Sequence, residues 1–188
     1  MTLRLLGGEW KGRILKSPKS SPTRPTQGIL RQAVFNICQH EVTDARFLDL
    51  FAGSGAMGLE ALSRGAQRAV FVEQNRSAAE CIRENIAIVQ AGSRSELMTM
   101  DIFHALQRLA RRKELFDIIY IDPPYGQPSL IRSVLQEIEK NNLISLQGLI
   151  FLEDSTEDPE ISFEFLRLKA KNIRRFGTAR LYELVQTE

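Results

Sequence analysis

The stretch best suited to chemistry is Asp122-Pro123-Pro124-Tyr125. It follows residues 116–121, a short apolar run rich in β-branched and aromatic side chains that predicts a buried strand. The two prolines end that strand, because neither can donate to a ladder and each fixes φ. The resulting turn offers a carboxylate, backbone carbonyls and an aromatic ring where ligands of open α/β sheets bind. These groups could grip a flat base that carries an amine; a proline-rich turn without a ligand is the alternative.

A glycine loop is the second motif. Gly53-Ser54-Gly55, with Gly58 three residues later, directly follows a predicted strand and opens a helix. Backbone N–H groups in such a loop can approach a ligand, and a helix N-terminus favours negative charge. Glu73 ends the next predicted strand, where an acid can accept hydrogen bonds from ribose hydroxyls. This pattern fits a dinucleotide site, an S-adenosylmethionine (AdoMet) site or a turn with no ligand.

Two more acids lie at the ends of predicted strands and refine this choice. Asp49 lies four residues before Gly53. A carboxylate there would repel a pyrophosphate but could hold a cationic ligand end, such as the AdoMet ammonium beside its sulfonium. Asp101 ends the third predicted strand, where it could accept a hydrogen bond from an adenine amine. It could equally cap the helix that starts at Ile102, and the two roles are compatible.

The elements that carry these residues alternate between strand and helix. The predicted strands are 46–51, 68–73, 96–101, 116–121 and 149–153, and the predicted helices end near residues 40, 63, 89, 113 and 140. This alternation predicts a parallel sheet covered on both faces. From Phe163 to Phe176 the apolar residues recur at every second position, Gly177-Thr178 offers a turn, and residues 179–185 alternate again. We therefore expect an α/β fold with a seven-stranded, mostly parallel sheet and an antiparallel C-terminal hairpin at its edge.

The N-terminal segment is strongly basic. Residues 1–31 carry seven basic side chains and one acid, a net charge of +6, whereas the remainder of the chain carries −4. Such a basic arm suggests a polyanion partner, with a solvated tail as the alternative. Trp10 beside Lys11 and Arg13 suits base stacking combined with phosphate contact, although Trp10 could equally pack against the body of the protein.

The local structure of this segment can also be predicted. Leu3 to Leu15 reads as two short β segments joined by a turn at Gly7-Gly8. A polar linker follows at 17–22, and Thr26 is a candidate N-cap for a helix over 27–40. The apolar face of this helix would hold Ile29, Ala33, Val34 and Ile37.

Composition narrows the remaining classes of protein. The 188 residues suggest one domain with a sizeable core, no apolar run is long enough to cross a membrane, and the first residues lack a secretory signal. Cys38 and Cys81 are isolated, so we expect reduced core thiols in a cytoplasmic protein. His40 and His104 are also isolated, so the sequence does not favour a zinc site or a Ser/His/Asp triad.

Together these motifs resemble the class I AdoMet-dependent methyltransferases. Residues 49–55 resemble their motif I, Glu73 their motif II and residues 122–125 the motif IV of amino-methyltransferases. More narrowly, nearly the whole chain resembles the RsmD family, which methylates N2 of a guanine in 16S rRNA. The segments that carry this likeness are 7–13, 24–36, 51–66 and 176–182. Gln32 and Asn75 depart from it, since the family usually has acids at or near these positions.

The resemblance implies a Rossmann-like class I fold and a set of roles. It implies AdoMet as the cofactor, no metal, and in-line methyl transfer. Asp122 and the Pro123 carbonyl would hold the amine, and Tyr125 would stack on the base. The chain would consist of an RNA-contacting extension (1–41) and a methyltransferase domain (42–188). The implied catalytic residues are Asp122, Pro123, Pro124 and Tyr125. The implied cofactor residues are Asp49, Phe51, Gly53, Ser54, Gly55, Glu73 and Asp101. The implied RNA-binding residues are Trp10, Lys11, Arg13, Arg24, Thr26 and Arg31.

The implied partner is 16S rRNA within a small-subunit assembly particle, bound by a cytoplasmic monomer. Three alternatives stay open at this point. A methyltransferase acting on DNA adenine or protein glutamine shares the Pro-Pro motif, and an NAD-dependent oxidoreductase shares the glycine loop. A non-catalytic RNA-binding protein that keeps the fold is the third.

Overall fold

A seven-stranded sheet organises the computed structural model, which describes residues 2–18, 25–124, 126–163 and 167–187, without the side chains of residues 25–27. The strands are β1 (Arg46–Leu50), β2 (Arg68–Val72), β3 (Ser95–Met98), β4 (Phe116–Ile121), β5 (Ile144–Ser155), β6 (Leu168–Phe176) and β7 (Ala179–Gln186). The helices are α1 (Pro25–Ile37), α2 (Ala56–Ser63), α3 (Arg76–Ile88), α4 (Ile102–Arg111) and α5 (Pro128–Lys140). A short 3₁₀ turn, Gly92–Arg94, precedes β3.

The strand order is β3-β2-β1-β4-β5-β7-β6. Neighbours from β3 to β5 pair in parallel, whereas β7 pairs antiparallel with both β5 and β6. The central strands are apolar on both faces, as expected for a parallel sheet covered by helices on each side. The predicted fold class and the C-terminal hairpin with its turn at Gly177-Thr178 are confirmed.

The sheet separates two hydrophobic cores. On one face Leu48 and Ile119 pack with α4 and α5, as Leu106 and Val134 illustrate. On the other face Phe47, Ile118 and Phe151 pack with α1 and α2. The N-terminal segment joins this second core through Leu5 and Leu15, so residues 2–18 lie against the body that the sheet and its helices form. None of the helices in the described ranges has the length and apolar character that a membrane span requires.

The two halves of the N-terminal segment pair antiparallel, as predicted, but without forming two regular strands: the Leu5 N–H donates to the Arg13 carbonyl at 3.0 Å, and the Leu15 N–H donates to the Leu3 carbonyl at 2.9 Å. The segment contains a single antiparallel bridge, between Arg4 and Ile14. The chain between them also follows α2: the Glu9 N–H donates to the Ser63 carbonyl at 2.7 Å. Gly8 has φ +74°, and a Cβ there would lie 1.7 Å from the Ser63 carbonyl oxygen. Contact with the end of α2, together with this antiparallel pairing, therefore shapes the segment.

The helix α1 differs from its prediction in start and in orientation. It begins at Pro25, so Thr26 lies inside the helix and is not its N-cap. Proline suits the first turn because its missing N–H needs no partner there. Ile29 is 61% exposed, whereas Leu30 and Val34 are buried, so the predicted apolar face is only partly right. The helix is rotated toward Leu30, Arg31 and Phe35, which face the body.

Several strand boundaries also differ from the prediction, most clearly those of β3 and β5. The strand β3 ends at Met98, because the Met100 N–H turns back to the Met98 carbonyl at 3.1 Å, and Asp101 therefore lies beyond the strand. The strand β5 begins at Ile144, five residues earlier than predicted. Ile144 pairs with Phe116 across a register shift, an irregularity that the alternation of residue types does not reveal.

Candidate active site

A cavity of about 550 Å³ opens where β1, β2, β4 and β5 end. Both the Asp122 segment and the glycine loop line this cavity. In the sequence, Gly53 and Asp122 are 69 residues apart. Among the other lining residues are Leu3, Ser17, Pro18 and Arg31 from the N-terminal segment and α1, and Tyr120, Leu130 and Glu153 from the body. The carboxyl edge of the sheet thus brings the two predicted motifs together, as the position of ligand sites in such folds leads one to expect.

The glycine loop is tied to Glu73 at the end of β2. Phe51 and Gly53 both have positive φ, 62° and 55°, which turns the chain sharply out of β1. The Gly53 N–H donates to Glu73 Oε2 at 2.9 Å, and the Asn75 N–H donates to Oε1 at 2.7 Å. Glu73 is therefore fixed in orientation, and its carboxylate still has acceptor capacity toward the cavity. Asn75, one of the departures from the family pattern, caps α3 by accepting from the Ala78 N–H at 3.0 Å.

Asp49 lies at the base of the same loop. It is 1% exposed, and its Oδ2 accepts the Gly58 N–H at 2.9 Å. The N-cap of α2 is Gly55, which has no side-chain oxygen, so Asp49 reaches from β1 to satisfy a donor of the first turn. Burial raises the pKa of Asp49 to about 8. The hydrogen bond from the Gly58 N–H opposes this shift, and the negative charge of Glu73 adds to it. A cation in the cavity would stabilise the ionised form of this carboxyl group.

The Asp122 segment meets the loop across β1 and β4. The Asp122 N–H points to the Leu50 carbonyl at 3.4 Å, which ties the start of the segment to the end of β1. Asp122 is half-buried, Pro123 is buried and Pro124 is exposed, and all three line the cavity. Tyr125 lies outside the described residues.

Asp101 has the capping role that was one of its two predicted functions. Its Oδ1 accepts the N–H groups of Phe103 at 2.9 Å and His104 at 3.3 Å. The side chain is 46% exposed and lines the cavity, so it remains accessible to a ligand as well.

The other side of the cavity has two polar side chains, Tyr120 and Glu153, that belong to neither predicted motif. The Tyr120 hydroxyl donates to Glu153 Oε2 at 2.7 Å, and both side chains are 4% exposed. The nearest sequence signal for Glu153 was its place at the end of a strand, which it shares with Asp49, Glu73 and Asp122. Nothing in an apolar run such as 116–121 singles out Tyr120.

Arg31 lies in the cavity wall rather than on the outer surface where a predicted phosphate contact would be. It is 5% exposed, donates to the Arg4 carbonyl at 2.8 Å, and its Nε lies 3.6 Å from Glu60 Oε2. Burial lowers the pKa of Arg31, and the Glu60 carboxylate opposes that shift. Glu60 is thus the ion-pair partner of Arg31, a role that Gln32, which stands where the family usually has an acid, cannot fill. The Gln32 side chain donates to Asn36 at 2.9 Å instead.

The remaining predicted RNA-binding residues are distributed as follows. Lys11 and Arg13 are exposed and form no ion pair with another described residue. The Trp10 side chain is half-buried under the Arg94 guanidinium, which lies 5.0 Å from the ring centroid, and the Trp10 backbone N–H donates to Ser63 Oγ at 2.9 Å. These contacts favour the alternative in which Trp10 packs the segment onto the body. Arg24 and the side chain of Thr26 lie outside the described part of the chain.

The isolated thiols and imidazoles are where the sequence suggested. Cys38 and Cys81 are free and buried. His40 and His104 are exposed. In the described ranges, no group of three His, Cys, Asp or Glu side chains has an arrangement that could hold a metal ion.

Comparison with known proteins connects this geometry to a family. A family model described as Conserved hypothetical protein 95 matches residues 3–184. Ribosomal RNA small subunit methyltransferase D of Escherichia coli (strain K12) is 35% identical over 156 residues, which cover 83% of this chain and 76% of the relative. The protein of the same name from Haemophilus influenzae is 28% identical over 182 residues, covering 96% of this chain and 93% of that one.

Solved structures agree with the sheet topology. The Escherichia coli protein yhhF superposes with a TM-score of 0.84 at 29% identity, covering 100% of this chain and 99% of that one. SMU.776, solved in complex with SAH, gives a TM-score of 0.69 at 17% identity over 86% of this chain and 50% of its own, a likeness of fold alone. The class I methyltransferase fold implied by the sequence is confirmed. Because the family model spans nearly the whole chain and the Escherichia coli relative most of it, this protein belongs to the Conserved hypothetical protein 95 family, the family of the RsmD methyltransferases.

Proposed function

We propose that this protein transfers a methyl group from AdoMet to the exocyclic N2 of a guanine in 16S rRNA. The single observation that supports this most is the convergence of the glycine loop and the Asp122 segment on one cavity. Family membership and the names of its relatives, small-subunit rRNA methyltransferases, support the rRNA substrate.

The residues around the glycine loop fit AdoMet better than a pyrophosphate ligand. Two loop N–H groups that could bind a phosphate, those of Gly53 and Gly58, are already used by Glu73 and Asp49. The cavity therefore presents two carboxylates where a dinucleotide needs positive potential. Asp49 would face the cationic part of AdoMet, Glu73 the ribose hydroxyls, and Ile102 and Phe103 the adenine. When bound, AdoMet supplies an electrophilic methyl group on a sulfonium.

Asp122 and the Pro123 carbonyl would then hold the target amine. Both are acceptors, so they favour an amine over a carbonyl at this position. A guanine amine is planar, because its lone pair is delocalised into the ring. Hydrogen bonds to two fixed acceptors bias that lone pair toward the direction of attack, and orientation of this kind can supply much of the acceleration. The Asp122 carboxylate also stabilises the positive charge that develops on nitrogen and lies against the proton that nitrogen must lose.

The base must leave its helix, or already sit in a loop, to reach this cavity. The exposed cations Lys11 and Arg13 would hold phosphates outside it. We therefore keep an RNA-contacting role for residues 1–41 as a proposal. Within this extension, Trp10 packs against the body and Arg31 forms part of the cavity wall, so neither is assigned to RNA contact.

The Asp122→Ala variant tests the proposal. We expect methyl transfer to fall by at least about 10³-fold, since the fixed acceptor for the amine is lost, while AdoMet still raises the melting temperature. Transfer of a tritiated methyl group is measured on rRNA from a strain that lacks this protein. Asp117→Ala removes a matched carboxylate at the other end of β4, 40% exposed and outside the cavity, and should leave the rate unchanged.

Two results would contradict the proposal. Asp122→Ala with near-wild-type transfer would remove the assigned role of Asp122. Wild-type protein that is stabilised by NAD but not by AdoMet, or that labels DNA or protein in preference to rRNA, would overturn the substrate assignment and favour the corresponding alternative.

A further inference from the structure

Two buried polar residues on the cavity wall have no role in the reaction described above. Tyr120 on β4 and Glu153 on β5 are each 4% exposed, and the tyrosine hydroxyl donates to the carboxylate at 2.7 Å. Both line the cavity, yet neither belongs to the glycine loop or to the Asp122 segment.

Glu153 is the neighbour of Asp122 across the sheet. The strands β4 and β5 run in parallel, with Tyr120 opposite Phe151 and Ile121 opposite Leu152. Asp122, which directly follows the end of β4, and Glu153, which lies within β5, are the next residues after this last pair. Because adjacent strands are about 4.8 Å apart and directly paired residues share a face, these two carboxylates border the same part of the cavity.

The pair is a costly way to fill this position. A buried carboxylate and hydroxyl lose their hydration, and an apolar pair of similar size would pack here at no such cost. Burial, and after it the charge of Glu153, raises the pKa of Tyr120, so the hydroxyl keeps its proton and donates it to the carboxylate. That bond uses one of about four acceptor positions on the carboxylate. Tyr120 therefore helps to fix the orientation of Glu153, and the number of acceptor positions on a carboxylate leaves room for a donor from a ligand.

The chemistry of the bases shows which ligand such a fixed acceptor would choose. In guanine the carbon that bears the amine is also bonded to a ring N–H, at N1. In adenine and cytosine the corresponding ring nitrogen carries a lone pair. A carboxylate beside the amine site accepts from the first and repels the second, which is how extruded bases are read on their Watson–Crick edge.

We infer that Glu153, positioned by Tyr120, selects guanine by accepting a hydrogen bond from N1–H while Asp122 holds N2. This inference rests on the proposed function and deepens it. Asp122 alone would accept any amine, whereas Glu153 separates guanine from the adenine that other Pro-Pro methyltransferases use. Glu153 is thus a specificity residue and Tyr120 a positioning residue.

The test pairs variants with a modified base. Once the methylated guanine is located, RNA is prepared with guanosine or with 2-aminopurine at that position. 2-Aminopurine keeps the amine at C2 and lacks the N1–H. We expect wild-type protein to prefer guanosine by at least about 100-fold in kcat/KM, as sites built to bind an N–H reject analogues that lack it.

Glu153→Gln and Glu153→Ala should lower kcat/KM for the guanosine RNA by about 10- to 100-fold, the range for a hydrogen bond to a charged group. Activity on the 2-aminopurine RNA should not fall and should rise if anything, because its N1 lone pair cannot use Glu153 and is repelled by that carboxylate. Tyr120→Phe keeps the Glu153 carboxylate but removes the hydrogen bond that orients it. This variant should lower the preference for guanosine over 2-aminopurine by about three- to tenfold. Glu183→Gln alters another buried carboxylate, 3% exposed on β7 and outside the cavity, and should leave the preference unchanged.

Equal losses on both RNAs in the Glu153 variants, or an unchanged preference, would overturn the inference and leave a structural role. If neither Glu153 variant folds, Tyr120→Phe decides: an undiminished preference in that variant overturns the inference. Failure of the wild-type protein to methylate the guanosine RNA would instead overturn the proposed function, so the two failures are distinguishable.

Discussion

At the scale of single residues, Asp49 shows how one carboxyl group can serve both fold and site. It satisfies a backbone donor of α2 because Gly55 cannot, and it borders the cavity at the loop. Its burial is nearly complete, which makes the ionised form costly in the absence of a cation. In the ligand-free protein this carboxyl group is therefore mostly protonated at neutral pH, and a cationic ligand would favour its ionisation.

The Asp49→Asn variant should change how stability depends on pH. The folded-state pKa of Asp49 is raised to about 8 from an ordinary value of 3.8. Between these values the folded protein binds one more proton than the unfolded chain, so this group lowers the stability as pH rises and its effect levels off above about pH 8. Asparagine stays neutral throughout.

We therefore expect the free energy of unfolding of Asp49→Asn, relative to wild type, to increase from pH 4 to pH 8. Urea denaturation of both proteins at several pH values measures this difference. A difference that is constant over the range would contradict the raised pKa.

At the scale of elements, α2 is the anchor for the N-terminal segment. Glu60 is fully buried, accepts the Leu6 N–H at 2.8 Å, and forms ion pairs with Arg64 at 2.9 Å and Arg31 at 3.6 Å. Ser63 donates to the Gly7 carbonyl at 2.6 Å. The segment and α1 thus share a buried anchor on α2, and Asn85 on α3 holds the far end of the segment by accepting the Lys16 N–H at 2.7 Å.

The Glu60→Ala variant should detach this contact. We expect a loss of about 3–5 kcal/mol in the free energy of unfolding, because Arg31 is left buried without its partner. Hydrogen exchange should accelerate at the Leu6 amide, which loses its acceptor. Glu80→Ala is the matched control: Glu80 is 64% exposed and pairs with Arg83 on the surface of α3, so its loss should cost no more than about 1 kcal/mol. Equal costs for the two variants would argue against the anchoring role.

These elements differ in how far the sequence predicts them. The strand β4 was predicted to the residue, because an apolar run is bounded by the two prolines. The start of β5 was missed, because Ser145 and Gln147 interrupt its apolar pattern. The site motifs came together as predicted, since strand ends share an edge. The partners Glu60 for Arg31 and Glu153 for Tyr120 are 29 and 33 residues away, and periodicity carries no information on such long-range pairs.

At the scale of the whole molecule, charge is divided between outside and inside. Exposed cations lie in the N-terminal segment, whereas Asp49, Glu73, Asp122 and Glu153 line the cavity. RNA phosphates are attracted to the first region and repelled by the second. A base that carries an amine can enter the cavity while its backbone stays outside.

Lys11→Ala combined with Arg13→Ala should therefore reduce the salt dependence of RNA binding. Each lost phosphate contact lowers the slope of log K against log salt by about 1, so we expect a decrease of roughly 1.5 to 2 for the double variant. Filter binding of a 16S rRNA transcript between low and physiological salt measures the slope. Arg108→Ala with Arg111→Ala removes two exposed cations from α4, on the opposite face, and should have little effect. An equal decrease for both pairs would indicate non-specific attraction.

The placement of β7 between β5 and β6 has a consequence for the way the chain assembles. β6 is made before β7, yet within the sheet its neighbour is β7, so it cannot dock until the later strand has aligned with β5. At this edge β6 can therefore join the sheet only together with β7 or after it, although β6 is made first. Until that happens β5, which carries Glu153, has an open flank along its length. The wall of the cavity that we assign to choosing the base would then be among the last parts of the molecule to become rigid.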